Sequence, residues 1–172
     1  MINQLRLNHH HQPLGQQCSR RGNRMKLTEK TKLEVQTILD KVAEAFEERD
    51  LDKMMSLFSN DEDMIVIGTG ADEKRLGKSE VRSLFKRDWS QSEASSIVYN
   101  WKSISTEGKF AWAAIEATVY ARLGSREIHL PSRLTIIVKK SGDKWLIVHW
   151  QASLPASGQQ TGEAWPMKIP VV

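Results

Sequence analysis

Cysteine and histidine are scarce in this chain, which limits the metal and redox chemistry that it can support. The single cysteine, Cys18, has no partner for a disulfide within the chain, and its solitary state fits a reducing compartment. Three of the five histidines are adjacent at positions 9–11, and only His129 and His149 fall in the patterned part of the sequence. Neither has the spacing of a zinc or iron site, so we expect no metal ion.

Long apolar runs are also missing. The sequence contains no stretch of about 18 apolar residues, the length that spans a bilayer. Its N-terminus lacks the continuous apolar segment of a standard secretory signal. We therefore expect a cytoplasmic protein that makes no contact with membranes.

Acidic residues are absent from the first 26 positions. The formal net charge of the whole chain is +4, but without the five bases of this segment 20 bases face 21 acids, a net charge of −1. The basic character therefore belongs to the N-terminal segment and not to the remainder, which argues against nucleic-acid binding. The five bases are Arg6, Arg20, Arg21, Arg24 and Lys26.

The first 26 residues show neither a helical nor a strand period, and they are rich in polar side chains. Such a composition predicts a disordered basic extension. Met25 comes directly before the first patterned segment. One hypothesis is that Met25 is the natural start of the protein.

Helical periodicity follows the extension. Thr28 is a suitable N-cap for a first helix from about residue 28 to residue 49, with one apolar stripe. Asp50 predicts the N-cap of a short second helix, and a third amphipathic pattern runs from Ser79 to about Trp89. The stripe of the first helix consists of Val35, Ile38, Leu39, Val42, Ala45 and Phe46.

A short apolar strand, Met64–Ile67, precedes a loop that contains Gly68 and Gly70. This loop lacks the third glycine of a dinucleotide-binding fingerprint, and no helix follows at once. We therefore expect no nucleotide to bind at this loop.

Strands dominate the second half of the chain. Four of them, at 97–106, 110–123, 127–140 and 144–153, are joined by short turns, which predicts an antiparallel meander. Helices followed by such a sheet indicate an α+β fold, and a sheet that curls over a helix encloses a cavity. We assign one folded domain to residues 27–155. Residues 156–172 form a tail that either docks on a partner subunit or frays.

The strand at 110–123 predicts how subunits associate. Alternate side chains of a strand point to opposite faces, and both faces of this strand carry apolar residues. One face is expected to pack on the helices and the other on a second subunit of a homodimer. The small residues Ala111, Ala113, Ala117 and Ala121 are assigned to the outer face, where they permit close approach of the second sheet.

Three segments together are similar to a known family. They are Asp63-Met-Ile-Val-Ile-Gly-Thr-Gly-Ala-Asp-Glu73 with Gly77–Val81, then Arg133-x-Thr135, and finally Lys144-Trp145-x-Ile147-x-His149-x-x-x-Ser153-x-Pro155. Over residues 28–155 the chain resembles the SnoaL-like, polyketide cyclase-like branch of the nuclear transport factor 2-like and ketosteroid isomerase-like superfamily.

The resemblance implies a cone-shaped α+β barrel, with three N-terminal helices packed on a strongly curved, mostly antiparallel sheet. It also implies a homodimer with a ligand pocket inside the cone. Relatives include isomerases, cyclases, dehydratases and non-catalytic association domains, so the fold does not decide the function. The chain departs from the family where Gln151 replaces a frequent histidine and where the first helix offers Phe46 and no tyrosine.

Arg133 and His149 are the first candidates for ligand contact. If they share the concave face, an arginine fork beside a histidine suits a carboxylate or an enolate. A slip of one residue in the hairpin would move His149 to the other face. The alternative is structural, with Arg133 paired to Glu116 and His149 satisfied by the backbone.

A glutamate among apolar neighbours has a raised pKa, so Glu116 is a candidate acid or base. The alternative for Glu116 is an ion pair or a subunit interface. Five tryptophans lie within 62 positions, where their rings supply core area or line a cavity. The remaining candidates for the pocket are Glu73, Trp89, Trp112, Tyr120 and Ser153.

These residues predict a domain that binds a small carbonyl or carboxylate compound. Its chemistry, if it is an enzyme, is isomerisation, cyclisation or dehydration without a cofactor. Glu116 or His149 would move the proton and Arg133 would stabilise the developing oxyanion. The alternative is a non-catalytic association or ligand-sensing module that works through dimerisation.

Overall fold

The computed structural model describes residues 14–166, with side chains from residue 28 onward. This part contains three helices and six strands, and none of its helices is long and apolar enough to cross a membrane. In chain order the elements are α1 (Leu14–Glu48), α2 (Leu51–Ser56), β1 (Ile65–Ile67), β2 (Lys74–Leu76), α3 (Gly77–Ser90), β3 (Ala94–Glu107), β4 (Phe110–Leu123), β5 (Arg126–Ser141) and β6 (Lys144–Ser153).

The six strands form one sheet in the order β2-β1-β6-β5-β4-β3. Every neighbouring pair is antiparallel except β1 and β6, which run parallel. The three helices cover one face of this curved sheet. The predicted α+β class and cone-shaped barrel are confirmed.

Helix α1 begins well before the predicted start. Residues 14–26, expected to be disordered, continue the helix to Leu14. Adding a turn to an existing helix avoids the cost of a new nucleus, so an apolar period is not required there. Residues 1–13 lie outside the described part of the chain, as do residues 167–172 of the predicted tail.

The junction of α1 and α2 follows the sequence prediction. Arg49 ends α1 with a φ of 57°, and the carboxylate of Asp50 accepts a hydrogen bond of 2.8 Å from the backbone N–H of Lys53. This capping bond satisfies one of the free donors at the start of α2. The reversal turns α2 back toward α3, and both helices then bury apolar residues such as Met54 and Phe85.

Three of the four alanines assigned to the outer face of β4 are buried on the inner face, so their assignment to a subunit interface was wrong. Ala111 and Ala113 have no exposed surface, and Ala117 is also buried, against the helices. Small side chains at these positions let α1 lie close to the sheet, where Tyr99 donates a hydrogen bond of 2.9 Å to the carbonyl of Leu39.

The opposite side of the sheet, which we call the outer face, carries large exposed residues. It includes Trp101, Phe110, Trp112, Glu116, Arg133 and Ser153. The alternation predicted for β4 is correct, but the two faces are exchanged.

Candidate functional site

A cavity of about 290 Å³ lies between the helices and the inner face of the sheet. Its wall is mostly apolar and contains four aromatic rings. Phe85 and Trp89 have ring centroids 5.5 Å apart, and Phe46 meets Trp89 edge-on at 6.0 Å. Trp150 packs edge-on against Phe85 at 6.3 Å. Rings in this arrangement form an apolar wall suited to a hydrocarbon ligand.

Helix α3 supplies one ionisable group to this wall. Val81, Leu84, Phe85 and Trp89 form its buried stripe, and Asp88 occupies a position on the same side of the helix. Burial raises the pKa of the Asp88 carboxyl above its ordinary value, and the hydrogen bond from Arg87 opposes part of that rise. An acid whose charged form is disfavoured in this way is suited to proton transfer.

Arg87 joins two cavity acids. Its guanidinium lies 2.9 Å from an oxygen of Asp88 and also donates a hydrogen bond to Glu73. Asp72, on the exposed side, is 3.2 Å away from the same group. The cation is therefore bound by carboxylates at the edge of the cavity.

The loop between β1 and β2 is built around Glu73. The Glu73 carboxylate accepts a hydrogen bond of 2.8 Å from the backbone N–H of Gly70, and its carbonyl accepts one of 2.9 Å from the N–H of Gly68. A Cβ atom on Gly68 would lie 2.1 Å from the Glu73 carboxylate. The two glycines are therefore required for close approach to this side chain and not for binding phosphate.

Arg49 holds the end of α3. It donates hydrogen bonds to the carbonyls of Trp89 and Glu93, the second at 2.8 Å. A cation at the C-terminus of a helix also opposes the negative end of the helix dipole. These contacts fix the turn that carries Asp88 and Trp89 into the cavity wall.

Two of the predicted site residues, Glu73 and Trp89, line the cavity. The other six do not. Glu116 stands opposite Arg133, and Arg133 stands opposite Ser153, so these three share the outer face. Trp112 lies four positions before Glu116 on the same strand, and therefore on the same face.

His149 also lies on the outer face. A bulge between Ile137 and Val138 adds a residue to β6 and shifts its alternation, so that Ile147 and Trp150 both point inward while His149 is paired with Ile137. Arg133 and His149 therefore share a face, which the sequence left open, but it is the face opposite the cavity.

Tyr120 is placed outside the cavity as well. Its ring meets that of His129 on β5, with centroids 4.7 Å apart, beside an open concavity at the edge of the sheet. Among the described residues, no group of three or more histidine, cysteine, aspartate or glutamate side chains is arranged to hold a metal ion.

Sequence reasoning missed Asp88. Its signal was present, since an aspartate in the apolar stripe of an amphipathic helix is unusual. The predicted α3 contained Val81, Leu84 and Phe85, and the next position of that stripe is Asp88.

The model of the SnoaL-like domain family matches residues 35–157. The chain belongs to the SnoaL-like family. No curated protein matches it.

Solved structures share the fold of this SnoaL-like protein. A nuclear transport factor 2-like superfamily protein from Salmonella enterica has a TM-score of 0.70 at 18% identity, covering 80% of this chain and 99% of its own. A Streptomyces avermitilis protein, provisionally assigned as a dehydratase of that family, has a TM-score of 0.69 at 17% identity, covering 76% of this chain and 100% of its own.

A third structure, from Novosphingobium aromaticivorans, is provisionally assigned as a scytalone dehydratase. Its TM-score is 0.66 at 11% identity, and the match covers 73% of this chain and 85% of the other. At such identities the likeness shows the fold alone.

Proposed function

We propose that the cavity binds a largely apolar small molecule with a carbonyl group and that Asp88 transfers a proton to or from it. The observation that carries this proposal is a carboxyl of raised pKa on a wall that is otherwise mostly apolar. A general acid or base works best when its pKa lies near the working pH, and desolvation moves Asp88 in that direction.

The chemistry needs no group beyond the substrate and one carboxyl. As a carboxylate, Asp88 takes the proton from a carbon next to the carbonyl, and the electron pair moves to the carbonyl oxygen. The protonated Asp88 then returns the proton to another carbon, which is isomerisation, or to a departing hydroxyl, which is dehydration. In both cases the carboxyl ends in its starting state.

Arg87 influences whether Asp88 is ionised or protonated. Its positive charge favours the ionised form of Asp88, whereas burial disfavours it. Glu73 competes for the same guanidinium, so the carboxylate of Asp88 is only partly neutralised. Of isomerisation, cyclisation and dehydration, dehydration is the first reaction to test, because two of the structures with this fold are provisionally assigned as dehydratases.

The test combines binding with turnover. Purified protein is screened by thermal shift against ketones, aromatic polyketides, steroids and small carboxylates, and each ligand found is then tested for reaction. A ligand at 100 times its Kd raises the free energy of unfolding by about 2.7 kcal/mol. Asp88→Asn should retain binding and lose turnover.

Asp72→Asn is the matched control, because Asp72 also contacts Arg87 but does not line the cavity. It should leave turnover within about twofold of the wild type. Equal loss in both variants, or full activity in Asp88→Asn, would remove Asp88 from the mechanism.

A second candidate function is assembly, and the outer face favours it. Trp101, Phe110 and Trp112 are 54%, 46% and 41% exposed on that face. Grouped large apolar residues at a surface are typical of an interface. We propose a homodimer in which the outer faces of two sheets meet, each copy contributing the same residues to the contact.

A further inference from the structure

The indole N–H of Trp89 is a buried donor without a hydrogen-bond partner in the described part of the protein. The side chain is 6% exposed and lines the cavity. An indole nitrogen only donates, so it needs an acceptor. Leaving a buried donor unpaired costs roughly 1–3 kcal/mol, which a bound acceptor would recover.

The buried hydroxyls of the cavity already donate to the backbone. Ser95 donates to the carbonyl of Phe46 at 3.2 Å, and Ser132 donates to the carbonyl of Leu130 at 3.0 Å. The half-buried Ser92 donates to the carbonyl of Asp88 at 3.2 Å. Trp89, a residue of the cavity wall, therefore holds a buried donor that the protein itself leaves unpaired.

The charges of the cavity argue against an anionic ligand. Its ionisable lining groups are the acids Glu73 and Asp88, and no lysine, arginine or histidine is among the described residues that line it. Arg87, which neighbours the cavity, is bound by both acids. A ligand carboxylate would meet two like charges without a counter-charge of its own, which is unfavourable.

We propose that the Trp89 indole N–H donates a hydrogen bond to the carbonyl oxygen of an uncharged, mainly hydrocarbon ligand. Trp89 is then the specificity-determining residue of the cavity, selecting neutral ketones over hydrocarbons and over carboxylates. The inference rests on the proposed function, since it requires that the cavity is a ligand site. It narrows the carbonyl or carboxylate compounds expected from the sequence to neutral carbonyl compounds.

Three aromatic probes with equal numbers of heavy atoms distinguish the effect of a neutral carbonyl group from that of a hydrocarbon group and from that of a negative charge. They are 2-acetylnaphthalene, 2-isopropenylnaphthalene and 2-naphthoate, which differ only in the side group. Their Kd values are measured by calorimetry with the full-length protein. The ketone should bind about tenfold more tightly than either of the other two.

The bond itself is read from the indole N–H resonance of Trp89 in a ¹⁵N-tryptophan-labelled protein, assigned by its disappearance in Trp89→Phe. The ketone should move this resonance downfield, and the hydrocarbon should leave it nearly in place. The shift itself is measured on the wild-type protein, and a folded Trp89→Phe spectrum is needed only for the assignment.

Trp89→Phe keeps an aromatic ring and removes the donor. It should abolish the advantage of the ketone and change hydrocarbon affinity by less than about twofold. Trp150→Phe, at a second tryptophan of the cavity wall, is the matched control and should keep the advantage. Equal loss of both ligands in Trp89→Phe would mean a structural role and would overturn the proposal.

The remaining outcomes distinguish failure of the Trp89 inference from failure of the proposed function. If ketone and hydrocarbon bind equally and the resonance stays in place, the Trp89 inference is wrong while the cavity stands as a ligand site. Tightest binding of 2-naphthoate would contradict the neutral-ligand inference in the same way. If no probe binds, the proposed function falls and the inference falls with it.

Discussion

Asp88 and Glu73 reach the same guanidinium, that of Arg87, from two different elements of the fold. Asp88 comes from α3, and Glu73 comes from the loop between β1 and β2. The shared cation connects the helix that bears the candidate acid to the loop beside the cavity. The proposed ligand binding and proton transfer would therefore both depend on the ion pairs at this point of the molecule.

Gly68→Ala should disturb this connection. The added Cβ would lie 2.1 Å from the Glu73 carboxylate and 2.9 Å from its Cβ, so the loop or the side chain must move away. We expect a loss of about 1–3 kcal/mol in the free energy of unfolding, measured in urea. In a Glu73→Ala background the same change should cost less, and purely additive effects would contradict the crowding described here.

Glu34 is expected to fasten α1 to the β5–β6 hairpin. Its carboxylate accepts hydrogen bonds of 2.7 Å from the Trp145 indole and 2.9 Å from Lys140. Glu34→Gln should lower the free energy of unfolding at pH 7 by about 1 kcal/mol or less, because the site is partly open to solvent.

The effect of Glu34→Gln on the free energy of unfolding should depend on pH, because the pKa of Glu34 is shifted in the folded protein. The hydrogen bond from Trp145, followed by that from Lys140, lowers the pKa of Glu34 below its ordinary value of 4.5. The stabilisation is therefore present above pH 4.5 and is lost as the pH falls through the lowered pKa. Denaturation curves of Glu34→Gln and wild type should converge in acid, whereas Glu29→Gln serves as an exposed control on the same helix.

Arg133→Ala and His149→Ala test the placement of these residues on the outer face. Both should leave the affinity of any cavity ligand within about twofold, since the sheet separates their side chains from the cavity. Calorimetric titration of each variant with the ligand found by thermal shift provides the measurement. A tenfold loss of affinity in either would mean that ligands bind elsewhere.

Trp112→Glu should split the proposed homodimer. The substitution places a charge within the apolar outer face and would have to be desolvated on association. Light scattering coupled to size exclusion should give the mass of a dimer for wild type and of a monomer for the variant. Trp165→Glu, at a tryptophan that is 79% exposed in the C-terminal segment, is the control and should leave the mass unchanged.

The sequence predicted most elements because their signals are local. Strands β4 and β6 have the predicted bounds, since glycine turns and alternating apolar residues mark their ends. Strand β2 was missed because three residues, Lys74–Leu76, carry too little periodicity to be recognised within a loop. The short strand forms through its pairing with β1, which no local pattern reveals.

Faces were harder to predict than strands. Alternation predicted which residues of β4 share a side, but only packing decides which side meets the helices. The bulge between Ile137 and Val138 also resets the alternation of β6 and cannot be read from local composition. Consequently Arg133, His149 and Glu116 were assigned to a cavity that they do not line, while Asp88 was passed over.

The central claim is that Asp88 is the proton-transferring acid of a ligand cavity. Its titration in ¹³C-aspartate-labelled protein, assigned with Asp88→Asn, tests this claim most directly. We predict a pKa above the ordinary value of 3.8 in the free protein and a further rise when an apolar ligand displaces water from the cavity. A pKa at or below 3.8, unchanged by a ligand that binds, would contradict the account.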